Sequence, residues 1–190
     1  MTGLATLLAE TVVKNLELLS LMLPKPARVA VLKNPANPGH NAQLANLQAA
    51  AQKLGVSMVP IDASNAEEIE RAFAVAQRER VQALMILPDA FYSQQQLQIA
   101  QLTLRNRLPA SSFRAEFVEA GGLLSHGQDF VAHWRLAARF IDRIFKGAKA
   151  GDLPFEQPTT FEIAINLKTA RELGVAVPQT VRIQATRVIE

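Results

Sequence analysis

Short apolar runs broken by polar turns set the rhythm of the first part of the chain. Val29, Ala30, Val31 and Leu32 are consecutive apolar residues, the mark of a strand covered on both faces. Asn34, Pro35, Asn37 and Pro38 end the run abruptly. From His40 or Asn41 the period changes: Leu44, Leu47, Ala51 and Leu54 fall on one helical stripe, with Gly55 just past its end. Strand, polar turn and covering helix then recur. Residues 56–61 form a second strand, with Pro60 marking an end that is not fully paired. Ser64 and Glu67 are spaced as a capping box for a helix carrying Ile69, Phe73 and Ala76. Residues 81–87 are a third buried run, stopped by Pro88 and Asp89. A helix over 93–105 with Leu97, Ala100 and Leu104 inside, and a short strand over 109–113, complete the series. Such alternation predicts an α/β, doubly wound, mostly parallel sheet.

The flanking segments follow other patterns. Leu4, Leu7, Leu8, Val12, Leu16, Leu19, Met22 and Leu23 keep to one side of an amphipathic helix stopped by Pro24 and Pro26. Glu10, Lys14 and Glu17 interrupt this stretch and no basic start precedes it, so it reads neither as a secretion signal nor as a membrane span. After Glu116 a brief apolar element is pinned by Gly121, Gly122 and Gly127. Asp129 is placed to cap a long helix ending at Lys146 and Gly147. Its apolar arc covers roughly 220° of the helical wheel, more than one sheet can bury, which implies a second partner surface. A proline-rich connector leads to alternating Phe161, Ile163 and Ile165, a short helix between Asn166 and Gly174, and an extended edge segment over 181–189.

Composition narrows the function. The chain has 190 residues, is 49 % hydrophobic and carries a net charge of only +3, with Lys and Arg scattered. Nucleic-acid binding would want a basic patch interleaved with aromatic residues, so no nucleic-acid partner is expected. The absence of Cys removes disulfides, thiolate metal sites and Cys catalysis. No G-x-G-x-x-G or G-x-S-x-G is present, and the Gly122–Gly127 pair has P-loop spacing but is followed by Gln128 instead of Lys. His40, His126 and His133 have no metal-ligand spacing. The sequence therefore predicts no cofactor, no metal and no catalytic residue. A small flavodoxin-like enzyme fits the βα alternation but lacks the acids or glycine-rich loop it would use.

In parallel sheets ligands bind at the carboxyl ends of the strands. Asn34 and Asn37 in the first loop, Asp89 after the third strand, and Phe91 beyond it are the candidates there. Each has a plainer reading as turn, cap or core cover.

Taken together, the stretches TGLATL, KNLELLSLMLPKPARVAVLKNPANP, ALMILPD, LPASSF, EFVEAGGLLSHGQD, AARFIDRIFKGAKAGDLPFEQPTTFEIAINLKTARELGVAVP and the final VIE resemble the ABC-transporter substrate-binding proteins related to aromatic amino-acid binders. Their architecture is the type I periplasmic-binding fold, two α/β lobes closing on a solute. The likeness covers nearly the whole chain but only the second half of the family. It implies that residues 1–127 and 152–190 form the second lobe, and that 128–151 is a crossing helix packing on the missing first lobe. It also implies an amino acid-like solute, an ABC permease partner and Glu119, Gly121 and Gly122 as further ligand-facing positions. The family is periplasmic; the chain as written would stay in the cytoplasm. A self-associating module, a homodimer through the helix face bounded by Phe130 and Ile144, is the alternative.

Overall fold

A computed structural model describes residues 2–25 and 27–190. Pro26, the second of the two prolines expected to stop the first helix, lies outside the described residues. The chain opens on a two-residue strand, β1 (Gly3–Leu4), followed by α1 (Leu8–Ser20). The amphipathic helix is thus shorter than its apolar stripe, because Gly3 and Leu4 pair in parallel with β7 (Phe155–Glu156).

The repeating units come next: β2 (Ala27–Lys33), α2 (Gly39–Leu54), β3 (Val56–Asp62), α3 (Ala66–Arg78) and β4 (Ala83–Ile86). They are followed by α4 (Ala90–Gln94), α5 (Gln96–Arg105), β5 (Ala110–Ser112), α6 (Ala115–Glu119) and β6 (Leu124–Gln128). After α7 (Phe130–Phe145) come β8 (Phe161–Asn166), α8 (Leu167–Leu173), α9 (Gln179–Gln184) and β9 (Arg187–Ile189). The main sheet has seven strands in the order β3-β2-β4-β5-β6-β8-β9. Its pairs are parallel except β6 with β8, which is antiparallel. The expected doubly wound, mostly parallel α/β sheet is what forms.

Strand alternation divides the core in two. Val29 and Val31 point to one face, where Leu16 and Leu19 of α1, Leu47 and Ala51 of α2, Ala170 of α8 and Val181 of α9 meet them. Ala30 and Leu32 point to the other, against Ile69 and Phe73 of α3, Ile99 of α5 and Phe117 of α6. Both faces of the β2–β4 centre are covered, which is why those strands read as unbroken apolar runs. Pro60 sits on β3, an edge strand, where a missing N–H costs little.

Local signals were mostly right in kind and sometimes displaced. The cap of α3 is Asn65, accepting from the Glu68 N–H at 2.9 Å, and the Glu68 carboxylate reaches back to the Ser64 N–H and hydroxyl. The expected Ser64–Glu67 box is therefore formed one residue later. The expected 93–105 helix starts earlier, because Asp89 caps α4, and it breaks at Gln95. That break shifts the inner stripe to Ile99 and Leu102 and leaves Leu97 exposed. The apolar element near Gly121 is two elements, α6 and β6. Residues 181–189 are not wholly extended: Pro178 opens α9, and only β9 joins the sheet, at its edge.

Asn15 of α1 ties β6 in place: its amide donates to the His126 carbonyl at 2.7 Å and its carbonyl accepts the His126 N–H at 3.0 Å. Gly127 lets β6 approach β5; a Cβ there would stand 1.9 Å from the Phe113 carbonyl oxygen. Asp129 caps α7 through the Ala132 N–H, as its sequence position predicts.

Candidate functional site

The turns after β2 and β4 lie side by side, because those strands are neighbours in register. Asn34 opens the first turn: its carbonyl accepts the Asn37 N–H, and its side chain accepts the Ala36 N–H, each at 3.0 Å. Pro35 supplies the fixed φ such a turn wants. The Asn37 side-chain oxygen in turn accepts the Gly39 N–H. Both asparagine carbonyl oxygens are committed to the loop, which fixes their amide nitrogens as outward donors.

Those nitrogens converge on Asp89. Asn37 Nδ2 donates to Oδ2 at 2.9 Å, and Asn34 Nδ2 lies 3.4 and 3.5 Å from the two carboxylate oxygens. Oδ1 also accepts the Phe91 N–H at 2.8 Å, capping α4. Asp89 is 9 % exposed. Three of the sequence-predicted site residues therefore form one cluster joining two successive βα turns. Phe91 is beside it, half-buried against the second core and tilted on Tyr92.

The cluster rests on His40, which is 1 % exposed. Its Nδ1 accepts the Asn34 N–H at 2.8 Å. A backbone N–H can only donate, so the ring proton is on Nε2, which lies 3.1 Å from the Pro88 carbonyl oxygen and donates to it. Tyr92 stacks on the ring with 14° between planes, and its hydroxyl donates to the Ala63 carbonyl at 2.7 Å. Burial, followed by the charges of Asp89, Asp62 and Glu68, pushes the Tyr92 phenol far up, so it remains a donor. His40 was not among the predicted site residues. A signal was available for His40: it lies four, seven and eleven residues before Leu44, Leu47 and Ala51, on the inward stripe of α2.

Glu119, Gly121 and Gly122 are not brought to this cluster. Glu119 ends, and the two glycines follow, the five-residue α6, which has run back from the carboxyl end of β5 towards the start of β6. Glu119 pairs with Arg187 of β9. The Gly121 carbonyl accepts the Thr169 hydroxyl at 2.9 Å, and a Cβ on Gly122 would lie 2.1 Å from the Phe117 ring.

A second region, on α7, which leaves the sheet from the carboxyl end of β6, is apolar. In α7 only Phe140 is buried, while Trp134 is 68 % and Phe145 86 % exposed, with Val131 and Ile141 also open. The wide apolar arc is thus largely uncovered. Trp134, Phe140 and Ile141 line a groove of about 390 Å³ against β1. Among the described residues no three His, Asp or Glu side chains gather as a metal site, and no helix is long and apolar enough to cross a membrane.

The family model of the ABC transporter substrate binding proteins matches residues 1–189. The chain belongs to that family. It shares the fold of two solved structures. One is a conserved domain protein of Vibrio cholerae, with TM-score 0.86 and 23 % identity over 98 % of this chain and 62 % of that one. The other is the ABC domain in complex with L-Trp from Streptococcus pneumoniae, with TM-score 0.82 and 23 % identity over 99 % of this chain and 64 % of that one. A tyrosine-binding protein of Clostridioides difficile is 22 % identical over 162 residues, 85 % of this chain and 47 % of the relative. This substrate-binding protein chain therefore spans about half the length of that curated relative.

Proposed function

We propose that the chain forms one solute-recognising lobe of a non-enzymatic binding protein serving an ABC importer on the periplasmic side, and that the solute is an amino acid or a close analogue. The convergence of Asn34, Asn37 and Asp89 at the carboxyl edge of β2 and β4 carries this reading. Each asparagine amide has a second hydrogen beyond the one used on Asp89, and a carboxylate has about four acceptor positions. The cluster so offers donors for a solute carboxylate beside an acceptor for its ammonium. The names of the relatives, a tyrosine binder and an L-Trp complex, support the same ligand class. Glu119, Gly121 and Gly122 stand outside this reading, since their contacts are with Arg187, Thr169 and Phe117. Residues 128–151 would cross to the first lobe and lay the apolar arc of α7 on it.

A single lobe supplies only part of the contacts that closure completes, so binding to this chain should be weak. Titrating isotope-labelled chain with L-Trp and L-Tyr should shift the amides of residues 34–37 and 89–91 at millimolar solute. No shift there up to about 10 mM, roughly −2.7 kcal/mol of binding, would refute the assignment.

The exposed face of α7 favours a second reading, self-association of this chain as a homodimer. Light scattering over a concentration series, with Trp134 emission recorded, tests it. Growth to dimer mass with a blue shift supports it; a constant monomer mass rules it out.

A further inference from the structure

We propose that His40 is a positioning residue for solute recognition: its uncharged ring, protonated on Nε2, staples the β2–α2 turn to the β4–α4 turn. The proposal rests on the solute reading above and names how that edge is held open for use. The ring spans the two turns with one hydrogen bond to each, from the Asn34 N–H at Nδ1 and to the Pro88 carbonyl at Nε2. Both bonded groups belong to residues that are, or directly precede, members of the Asn34–Asn37–Asp89 cluster. The ring is buried and stacked on Tyr92, so it cannot swing away without opening α2 or α4. Asp89 Oδ2 stands 3.8 Å from Nε2, beyond a hydrogen bond, so the staple acts on the backbone and leaves the carboxylate to the asparagines.

No other side chain reproduces both arms. Asn can imitate Nδ1 and keep the Asn34 arm; Gln can imitate Nε2 and keep the Pro88 arm. The two variants therefore separate the arms while keeping similar polarity. Losing either bond lets the two turns drift apart, and the asparagine amides then no longer meet Asp89 and solute together.

The test uses the whole 190-residue chain. Imidazole nitrogen NMR of the wild type should find His40 bare on Nδ1 and protonated on Nε2; a proton on Nδ1 overturns the proposal with no variant needed. His40→Asn and His40→Gln should each move the amides of both turns and weaken the response to L-Trp about three- to tenfold, the worth of one hydrogen bond. Leu47→Ala, a core change in the same helix, should lower stability yet leave the L-Trp midpoint within about twofold, which a merely destabilising effect of His40 could not match. Equal midpoints in wild type and both His40 variants overturn the positioning role. A wild type that is silent to L-Trp while its His40 nitrogens show the expected proton overturns the solute reading itself, and with it the solute role of the staple.

Discussion

Asp89→Asn isolates the polar cluster with one atom changed. The amide keeps a carbonyl oxygen, and the Phe91 N–H will hold it, because that bond caps α4. The new NH2 group then faces Asn37 Nδ2, now 2.9 Å from the carboxylate oxygen it replaces. Two donors meet. Asn37 cannot relieve this by turning over, since its own oxygen accepts the Gly39 N–H at 3.0 Å. Asn34 is held likewise by the Ala36 N–H. A hydrogen bond to a charged group contributes about 1.5–3 kcal/mol, and little solvent reaches the site to replace it. The longer Asn34 contacts add less.

The expected cost is about 2–3 kcal/mol. For a chain of this size each kcal/mol moves the thermal midpoint about 2–4 °C, so Asp89→Asn should melt roughly 5–10 °C lower. Asp89→Ala should lose about 1 kcal/mol more, because it also removes the α4 cap. The assay is paired thermal and urea unfolding followed by circular dichroism. An Asp89→Asn protein melting within about 1 °C of wild type would refute the reasoning: the carboxylate would then carry no load between the turns.

Four further outcomes follow from the packing. Burial pushes the His126 ring below its ordinary value of 6.5, the Thr11 carbonyl offsetting part of the shift. The unfolded chain therefore binds the proton more readily, and stability is full above about 6.5 and lost as the pH falls below it. His126→Phe keeps a ring to stack on Phe161, and its thermal midpoint should fall less between pH 7.5 and 5.5 than that of the wild type. Gly127→Ala drives a methyl into the Phe113 backbone and should cost at least about 3 kcal/mol or prevent folding, read as lost soluble yield or a collapsed urea midpoint. Asn15→Ala strands both backbone groups of His126 and should cost about 2–3 kcal/mol in urea unfolding, against near-neutral for the exposed Gln52→Ala. Trp134→Lys should leave the thermal midpoint within about 2 °C, as an exposed position does, while lowering any concentration-dependent rise in mass.

The parts of the fold that were legible are those whose signal is local. The β2 and β4 runs are apolar on both faces because both faces are covered, and the Asp129 and Asn166 caps use side chains that bond their own next turn. The strand β6 was not legible as such. Leu-Ser-His-Gly-Gln holds one strong apolar residue, and it is a strand because β5, β8 and Asn15 supply its partners. The candidate site divides the same way. Turn chemistry marked Asn34, Asn37 and Asp89 as residues of corresponding loops, but not that they touch, since their contact depends on β2 and β4 being neighbours across an intervening β3 unit. Chain position likewise could not say that α6 is short enough to carry Glu119 and the two glycines away from that edge.

The contrast between the polar cluster and the exposed face of α7 bears on function. Each sheet face already has its helices, α1, α2, α8 and α9 on one side and α3 to α6 on the other. The sheet therefore has no room to bury α7, and an apolar arc there serves no need of the chain's own core. Natural helices that are solvent-facing carry polar residues on that side, because exposed Trp and Phe invite association. The polar cluster shows the opposite economy: its asparagine oxygens, its His40 nitrogens and both Asp89 oxygens are matched within the chain, so the turns are organised before any partner arrives. A surface that is preorganised and polar suits a small solute that comes and goes, since no ordering is charged against binding. A surface that is apolar and unmatched suits a permanent protein neighbour. Under the proposed reading the two features therefore call for different kinds of partner, a small solute at the polar edge and a protein surface on α7.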